Sequence, residues 1–164
     1  MKYLTLIRHA SAENAGSGVG DEDRNLTDQG VQDARRLGTF LLQAFPLPQT
    51  VYTSVALRAR RTVEELLREV PRDVPLPDTE VETDLYLADA DEIWDFAYSG
   101  FLESDELWIC AHDPGITEAV ERLSGSRIER VTAGGVIRIA FEDLLPHGRN
   151  GSLCFFDIPE NHRR

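Results

Sequence analysis

Four side chains stand where chemistry can be done. Arg8 and His9 follow an apolar run, Tyr3–Ile7. Arg58 lies just past Ser54, which closes a second short run, and His112 follows a third, Leu107–Ala111. Brought together, two guanidiniums and two imidazoles describe a pocket for a phosphoryl group. Arginine presents a planar fork that fits non-bridging phosphate oxygens in bidentate fashion. Phosphoryl transfer asks for little beyond positioning and charge neutralisation, and a histidine can act as the nucleophile and carry the group. Each residue alone is ambiguous. A lone histidine is structural as often as functional, and Arg58, Arg60 and Arg61 together are what a solvated helix face carries. On a helix, Arg58 and Arg61 share a face while Arg60 points away, and Arg58 in the first turn is nearest the strand end. Backbone N–H groups at that helix start would add to an anion site. Three strand ends converging on one chemistry carry the reading.

The elements that must deliver these residues alternate. Residues 3–7 predict a strand. Thr27 is an N-cap with Asp28 in the first turn, and Val31, Ala34, Leu37 and Leu41 recur at helical spacing, predicting a helix over 28–44. Pro46 and Pro48 stop it. A strand over 50–53 leads into a helix over 56–70, with Val63, Leu66, Leu67 and Val70 inward. Residues 79–83 predict a short exposed strand and 90–102 a helix carrying Ile93, Trp94, Ala97 and Phe101. After the buried strand 107–111, Asp113 and Pro114 form a helix start, acid cap then proline, for a helix ending near Leu123. Strands over 135–141 and 152–158 close the chain. Strand–helix alternation predicts a mostly parallel sheet covered on both faces, and open sheets of this kind place ligands at the carboxyl ends of their strands.

At this point the residues resemble a known family. Leu6-Ile-Arg-His-Ala10 is similar to the Arg-His-Gly signature of the histidine phosphatase (phosphoglycerate mutase-like) superfamily. The string Arg8 to Glu13 and the short chain look most like its SixA-type phosphohistidine phosphatases. Arg24-Asn-Leu-Thr-Asp-Gln-Gly30, Ser54-Val-Ala-Leu-Arg58-Ala-Arg-Arg-Thr62 and Ala111-His-Asp-Pro-Gly-Ile116 resemble three further family segments, in the family's order. The departures are Ala10 for Gly and Asp113 for Asn. The resemblance implies a three-layer α/β/α sandwich with a mostly parallel central sheet, formed by a single domain over 1–164. It implies that His9 is the phosphorylated nucleophile and that Arg8, Arg58 and His112 hold the phosphate. Asp113 is expected to help keep His112 protonated.

Larger members supply a carboxyl as general acid between the second arginine and second histidine. Glu80, Glu82 and Asp84 are the candidates here, with Asp84 in Thr83-Asp-Leu-Tyr-Leu87 the best match. An alkoxide leaving group needs such an acid; an imidazole leaving group needs it less. The expected activity is therefore a metal-independent phosphatase acting on phosphohistidine in a protein. A small-molecule phosphomonoesterase is the alternative, and a phosphate-binding module without turnover is a third reading. The short chain leaves little for a lid, so the pocket should be open.

Composition narrows the partners. Net charge is −12 over 164 residues, which argues against nucleic acid and anionic membranes as partners. The acid is concentrated: fifteen Asp and Glu and no Lys or Arg lie from Asp73 to Glu121. A small positive pocket on an acidic body is expected, and a partner offering a basic or apolar docking face. No apolar run reaches the ~18 residues of a membrane span, and no signal peptide is legible, so a cytoplasmic protein is expected, monomeric or weakly dimeric. Cys110 and Cys154 sit in apolar runs and read as buried free thiols. The four histidines show no ligand spacing, so neither metal nor cofactor is expected. Gly16-Ser-Gly-Val-Gly20 lacks nucleotide-loop spacing and reads as a loop near the pocket edge. Trp94, Tyr98 and Phe101 read as core or a docking face.

Overall fold

The computed structural model describes residues 1–16 and 18–163; Ser17 of the glycine-rich loop lies outside them. Six strands form one sheet: β1 (Lys2–Arg8), β2 (Thr50–Ser54), β3 (Asp78–Glu82), β4 (Glu106–Ala111), β5 (Val136–Phe141) and β6 (Ser152–Asp157). Their order is β3-β2-β4-β1-β5-β6. The first four are mutually parallel, while β5 runs antiparallel to β1 and β6 antiparallel to β5. Four helices connect them: α1 (Asp28–Ala44), α2 (Leu57–Leu67), α3 (Ala90–Gly100) and α4 (Gly115–Ser124).

Strand periodicity makes the layers. Side chains alternate between the faces of a strand, so a continuous apolar run feeds both. Along β1, Leu4 and Leu6 join Ile93, Trp94, Ala119 and Leu123 of α3 and α4, while Ile7 joins Leu37, Leu41, Val63 and Leu66 of α1 and α2. Along β4, Leu107, Ile109 and Ala111 face the first cluster and Trp108 and Cys110 the second. The result is the expected three-layer α/β/α sandwich.

Local signals set the helix ends. Thr27 accepts from the Gly30 N–H at 3.0 Å and starts α1 at the expected residue. Asp89 and Glu92 form a reciprocal capping box on α3. The start of α4 differs from expectation. The helix begins at Gly115, with Pro114 at the cap position. The residue before a proline is held away from helical geometry. Asp113 therefore lies one position outside, and its Oδ1 reaches forward to the Thr117 N–H at 3.1 Å and hydroxyl at 2.6 Å. Cys110 is buried, but Cys154 is exposed. β6 is an edge strand with only alternate residues partly covered, and Cys154 falls on its open side.

Among the described residues no helix is long and apolar enough to cross a membrane.

Candidate active site

The loop after β1 is fastened from three directions. The His9 N–H donates to the Ala111 carbonyl at 3.2 Å, joining the ends of β1 and β4. Gly134 N–H reaches the carbonyls of Arg8 (3.1 Å) and His9 (2.9 Å). Gly134 has φ +80°, and a Cβ there would stand 2.8 Å from Pro159 Cγ, so glycine is required. From α2, the Thr62 hydroxyl accepts from Ala10 N–H at 3.0 Å and donates to the Arg58 carbonyl at 2.7 Å. One threonine thus couples the His9 loop to the helical turn bearing Arg58.

The four expected residues meet in one open cleft of about 400 Å³. His9 Nδ1–H donates to the Ala10 carbonyl at 2.8 Å, which leaves Nε2 unprotonated. Arg58 donates from Nε to that nitrogen at 3.3 Å and from Nη2 to His112 Nδ1 at 3.4 Å. With Nδ1 accepting, His112 carries its proton on Nε2 and donates to Ser54 Oγ at 2.7 Å. The two imidazole centroids are 5.2 Å apart. Arg8 donates from Nη1 to the Val131 carbonyl at 2.7 Å. Its Nε–H is buried without an acceptor among the described residues. An anion in the cleft would supply one.

Burial governs the electrostatics. It lowers the His9 pKa to about 4, against the Ala10 hydrogen bond and with help from Arg58, Arg8 and Arg24. His112 falls to about 3, through burial first and then His9 and Arg58. Both histidines are therefore neutral at neutral pH, contrary to the expectation of a protonated His112. Asp113, expected to hold that proton, is turned to Thr117 and pairs with Arg130 at 2.9 Å.

Asp84 is not in this cleft. It sits in the short 3₁₀ turn Thr83–Leu85, where Leu85 is buried in the core and Asp84 consequently faces outward. It lines a separate hollow with Glu92, Asp95 and Phe96. Glu80 and Glu82 lie on edge strand β3. Besides Asp113, whose carboxylate is tied to Thr117 and Arg130, the cleft is lined by Asp21, which sequence reading missed. Its Oδ2 accepts from Arg58 Nη2 at 3.1 Å and from the Tyr86 hydroxyl at 2.5 Å. Its carbonyl accepts from Arg58 Nη1 at 2.7 Å. These donors, Tyr86 first, hold its pKa at about 2. The loop returns because Glu13 N–H donates to Asn25 and Thr27 N–H to Ser11. A signal existed: Arg24 stands at the head of the Leu26-Thr27 helix start, and Asp21 precedes it at i,i−3 spacing. Arg60 and Arg61 stay out. Arg60 binds the Val55 carbonyl and Arg61 pairs with Glu64 and Glu65. Trp94 and Phe101 are core.

Fold and site together define an α/β protein whose central strands deliver two neutral histidines and two arginines to one anion-ready cleft. Residues 4–91 match the histidine phosphatase superfamily (branch 1), and the chain belongs to that family. A 2,3-bisphosphoglycerate-dependent phosphoglycerate mutase from Corynebacterium glutamicum is 44% identical over 71 residues, covering 42% of this chain and 29% of that protein. The match thus spans under a third of that relative's length. Among solved structures, the protein histidine phosphatase SixA complexed with tungstate superposes with TM-score 0.82 at 21% identity, covering 98% of this chain and 99% of that one. The alpha-ribazole phosphatase from Shigella flexneri gives 0.70 at 17% identity, over 96% of each chain. At these identities the likeness is one of fold.

Proposed function

We propose that this chain is a phosphatase that takes the phosphoryl group from phosphohistidine on a protein and passes it to water through phospho-His9. The observation that carries this is the fixed tautomer of His9: Nδ1–H is committed to Ala10, so Nε2 is the unprotonated nitrogen, its lone pair held only by a long 3.3 Å bond from Arg58 Nε–H that an incoming phosphoryl group would replace. In the first step Nε2 attacks phosphorus in line. Arg8 and Arg58 neutralise the equatorial oxygens, Arg8 using its free Nε–H. His112 joins them once the phosphate's charge has drawn a proton onto Nδ1. In the second step water attacks the phosphorus of phospho-His9, its proton passing to a phosphate oxygen or to solvent, and the electron pair of the N–P bond returns to Nε2.

Two features favour an N–P over an O–P substrate. Of the two carboxylates lining the cleft, Asp21 is ionised and cannot protonate an alkoxide, and Asp113 is paired with Arg130. The cleft is also open, which suits a side chain presented by another protein. The partial likeness to a phosphoglycerate mutase keeps a small phosphomonoester as the second reading.

The test is to incubate the protein, with and without chelator, with a phosphohistidine protein, a phosphoramidate and small phosphomonoesters. Metal-independent release of phosphate from phosphohistidine, lost in His9→Ala, is the expected result. Full activity of His9→Ala refutes the nucleophile, chelator-sensitive turnover refutes metal independence, and phosphate binding without turnover of any substrate supports a binding module.

A further inference from the structure

We propose that Asp21 selects the leaving group, its carboxylate accepting the free ring N–H of a phosphohistidine imidazolium while the phosphoryl group moves to His9. This rests on the phosphohistidine reading above and assigns the residue that would enforce it.

Position is the first argument. His9, Arg58 and His112 are buried at the cleft floor, whereas the Asp21 side chain is 47% exposed at the rim. In an in-line displacement the leaving group points away from the attacking nitrogen, here from the floor towards the rim. Asp21 is nonetheless anchored there. Arg58 and Tyr86 share Oδ2, and Arg24 Nε donates to Oδ1 at 3.0 Å. A carboxylate has about four acceptor sites; three are taken and one, on Oδ1 of this cleft-lining residue, remains.

Chemistry is the second. A P–N bond to imidazole breaks readily only when the other ring nitrogen holds a proton. The departing nitrogen then keeps the bonding pair and the ring leaves neutral, still protonated on its far side. No proton changes hands in that step. His9 is built on the same plan from the enzyme's side, its Nδ1–H fixed by the Ala10 carbonyl at 2.8 Å. Attack by Nε2 makes a phosphoimidazolium whose charge that carbonyl stabilises. The donor ring needs a matching acceptor opposite, and Asp21 is the exposed one of the two carboxylates that line the cleft, the Asp113 side chain being buried against Arg130. An acceptor of negative charge favours the protonated ring. Towards an alkoxide the same carboxylate offers no proton and adds repulsion. The three donors that hold Asp21 keep it ionised, with its pKa at about 2.

The experiment compares kcat/KM on a phosphohistidine protein with kcat/KM on 4-nitrophenyl phosphate, whose leaving group needs no proton. In Asp21→Asn and Asp21→Ser the ratio of the two should fall about ten- to hundredfold, the worth of one charge-assisted hydrogen bond. The phosphohistidine optimum should also move to lower pH, because the donor ring must then be protonated from solution. A thermal melt shows that each variant is folded. An unchanged ratio, including an equal loss on both substrates, overturns the proposal, since Asp21 would then only hold Arg58. That result leaves the phosphohistidine reading standing. A wild type that hydrolyses 4-nitrophenyl phosphate but not phosphohistidine removes both.

Discussion

Arg58 donates its Nε–H to His9 Nε2 across 3.3 Å, so the proposed nucleophile and a cation are held in direct contact. The same guanidinium spends Nη1 and Nη2 on Asp21 and turns Nη2 also to His112. All three of its nitrogens are in use. A lysine has one charged nitrogen on a flexible stem and cannot span these partners. Arg58→Lys should therefore lower kcat by about 10²–10³, the cost of removing one preorganised charge-stabilising group. His9→Ala should remove more. Steady-state kinetics on 4-nitrophenyl phosphate measures both, and a near-wild-type Arg58→Lys would show that charge alone suffices.

The two histidines tie stability to pH with a definite sign. Both are lowered from an ordinary value of 6.5, to about 4 for His9 and about 3 for His112. Below 6.5 the unfolded chain takes up protons that the folded chain refuses, so stability falls with acidification until the folded values are reached. Above 6.5 this contribution is complete and flat. Each pH unit of separation is worth about 1.4 kcal/mol per group. Urea midpoints at a series of pH values should fall from pH 6.5 towards 4, and His112→Asn should flatten that slope. A slope unaffected by the substitution would place His112 in solvent.

Phosphate should change that protonation. His112 Nδ1 faces Arg58, and burial first, then His9 and the guanidiniums of Arg58 and Arg8, discourage its proton. A dianion between them reverses the local charge and favours the imidazolium. Phosphate binding is expected to take up a proton near neutral pH. Calorimetry in buffers of different ionisation enthalpy reads this directly, and the uptake should vanish in His112→Asn. Equal heats in all buffers for the wild type would mean that His112 stays neutral throughout.

Remote from the cleft, Arg138 of β5 is 4% exposed and forks onto Glu106 of β4, with Nη2 at 2.8 Å from Oε2. Thr5 of the intervening β1 accepts at 2.9 Å, and the rings of Tyr3 and Phe45 lie 4.3 and 4.4 Å from the guanidinium. Breaking one partner of a buried pair leaves an uncompensated charge. Glu106→Gln should destabilise by about 3 kcal/mol by that rule, seen as a lower urea midpoint at unchanged slope. Arg138→Met with Glu106→Gln should recover much of the loss.

The strand ends and the meeting of Arg8, His9, Arg58 and His112 in one cleft were readable because they rest on local rules. An apolar run closed by Arg8-His9, or by His112, marks where a strand leaves the core, and parallel topology sends such ends to one edge. Thr27 with Gly30 fixed the start of α1 for the same reason. What escaped depends on side chains that meet through the fold. Asp84 was expected at the cleft from a resemblance alone, whereas Leu85 claims the core and turns Asp84 outward. Asp21 reaches Arg58 and Tyr86 only because the chain from Glu13 to Asn25 folds back on itself. Burial of His112, which reverses its expected protonation, is likewise absent from its neighbours in sequence. Cys154 lies in an apolar run whose strand turns out to be an edge.

The strand order carries a last consequence. β2, β4 and β1, whose ends bear Ser54, His112, and Arg8 with His9, are adjacent and interior, with β3 outside on one flank and β5 and β6 on the other. Sheets open from their margins inward, each departing strand exposing only the ladder beside it. β3 and β6 can therefore unzip while the block that holds the histidines stays closed. In native-state hydrogen exchange, amides of Val81 and Leu153 should report these cheap marginal openings, and Ile7 and Ile109 only the global one.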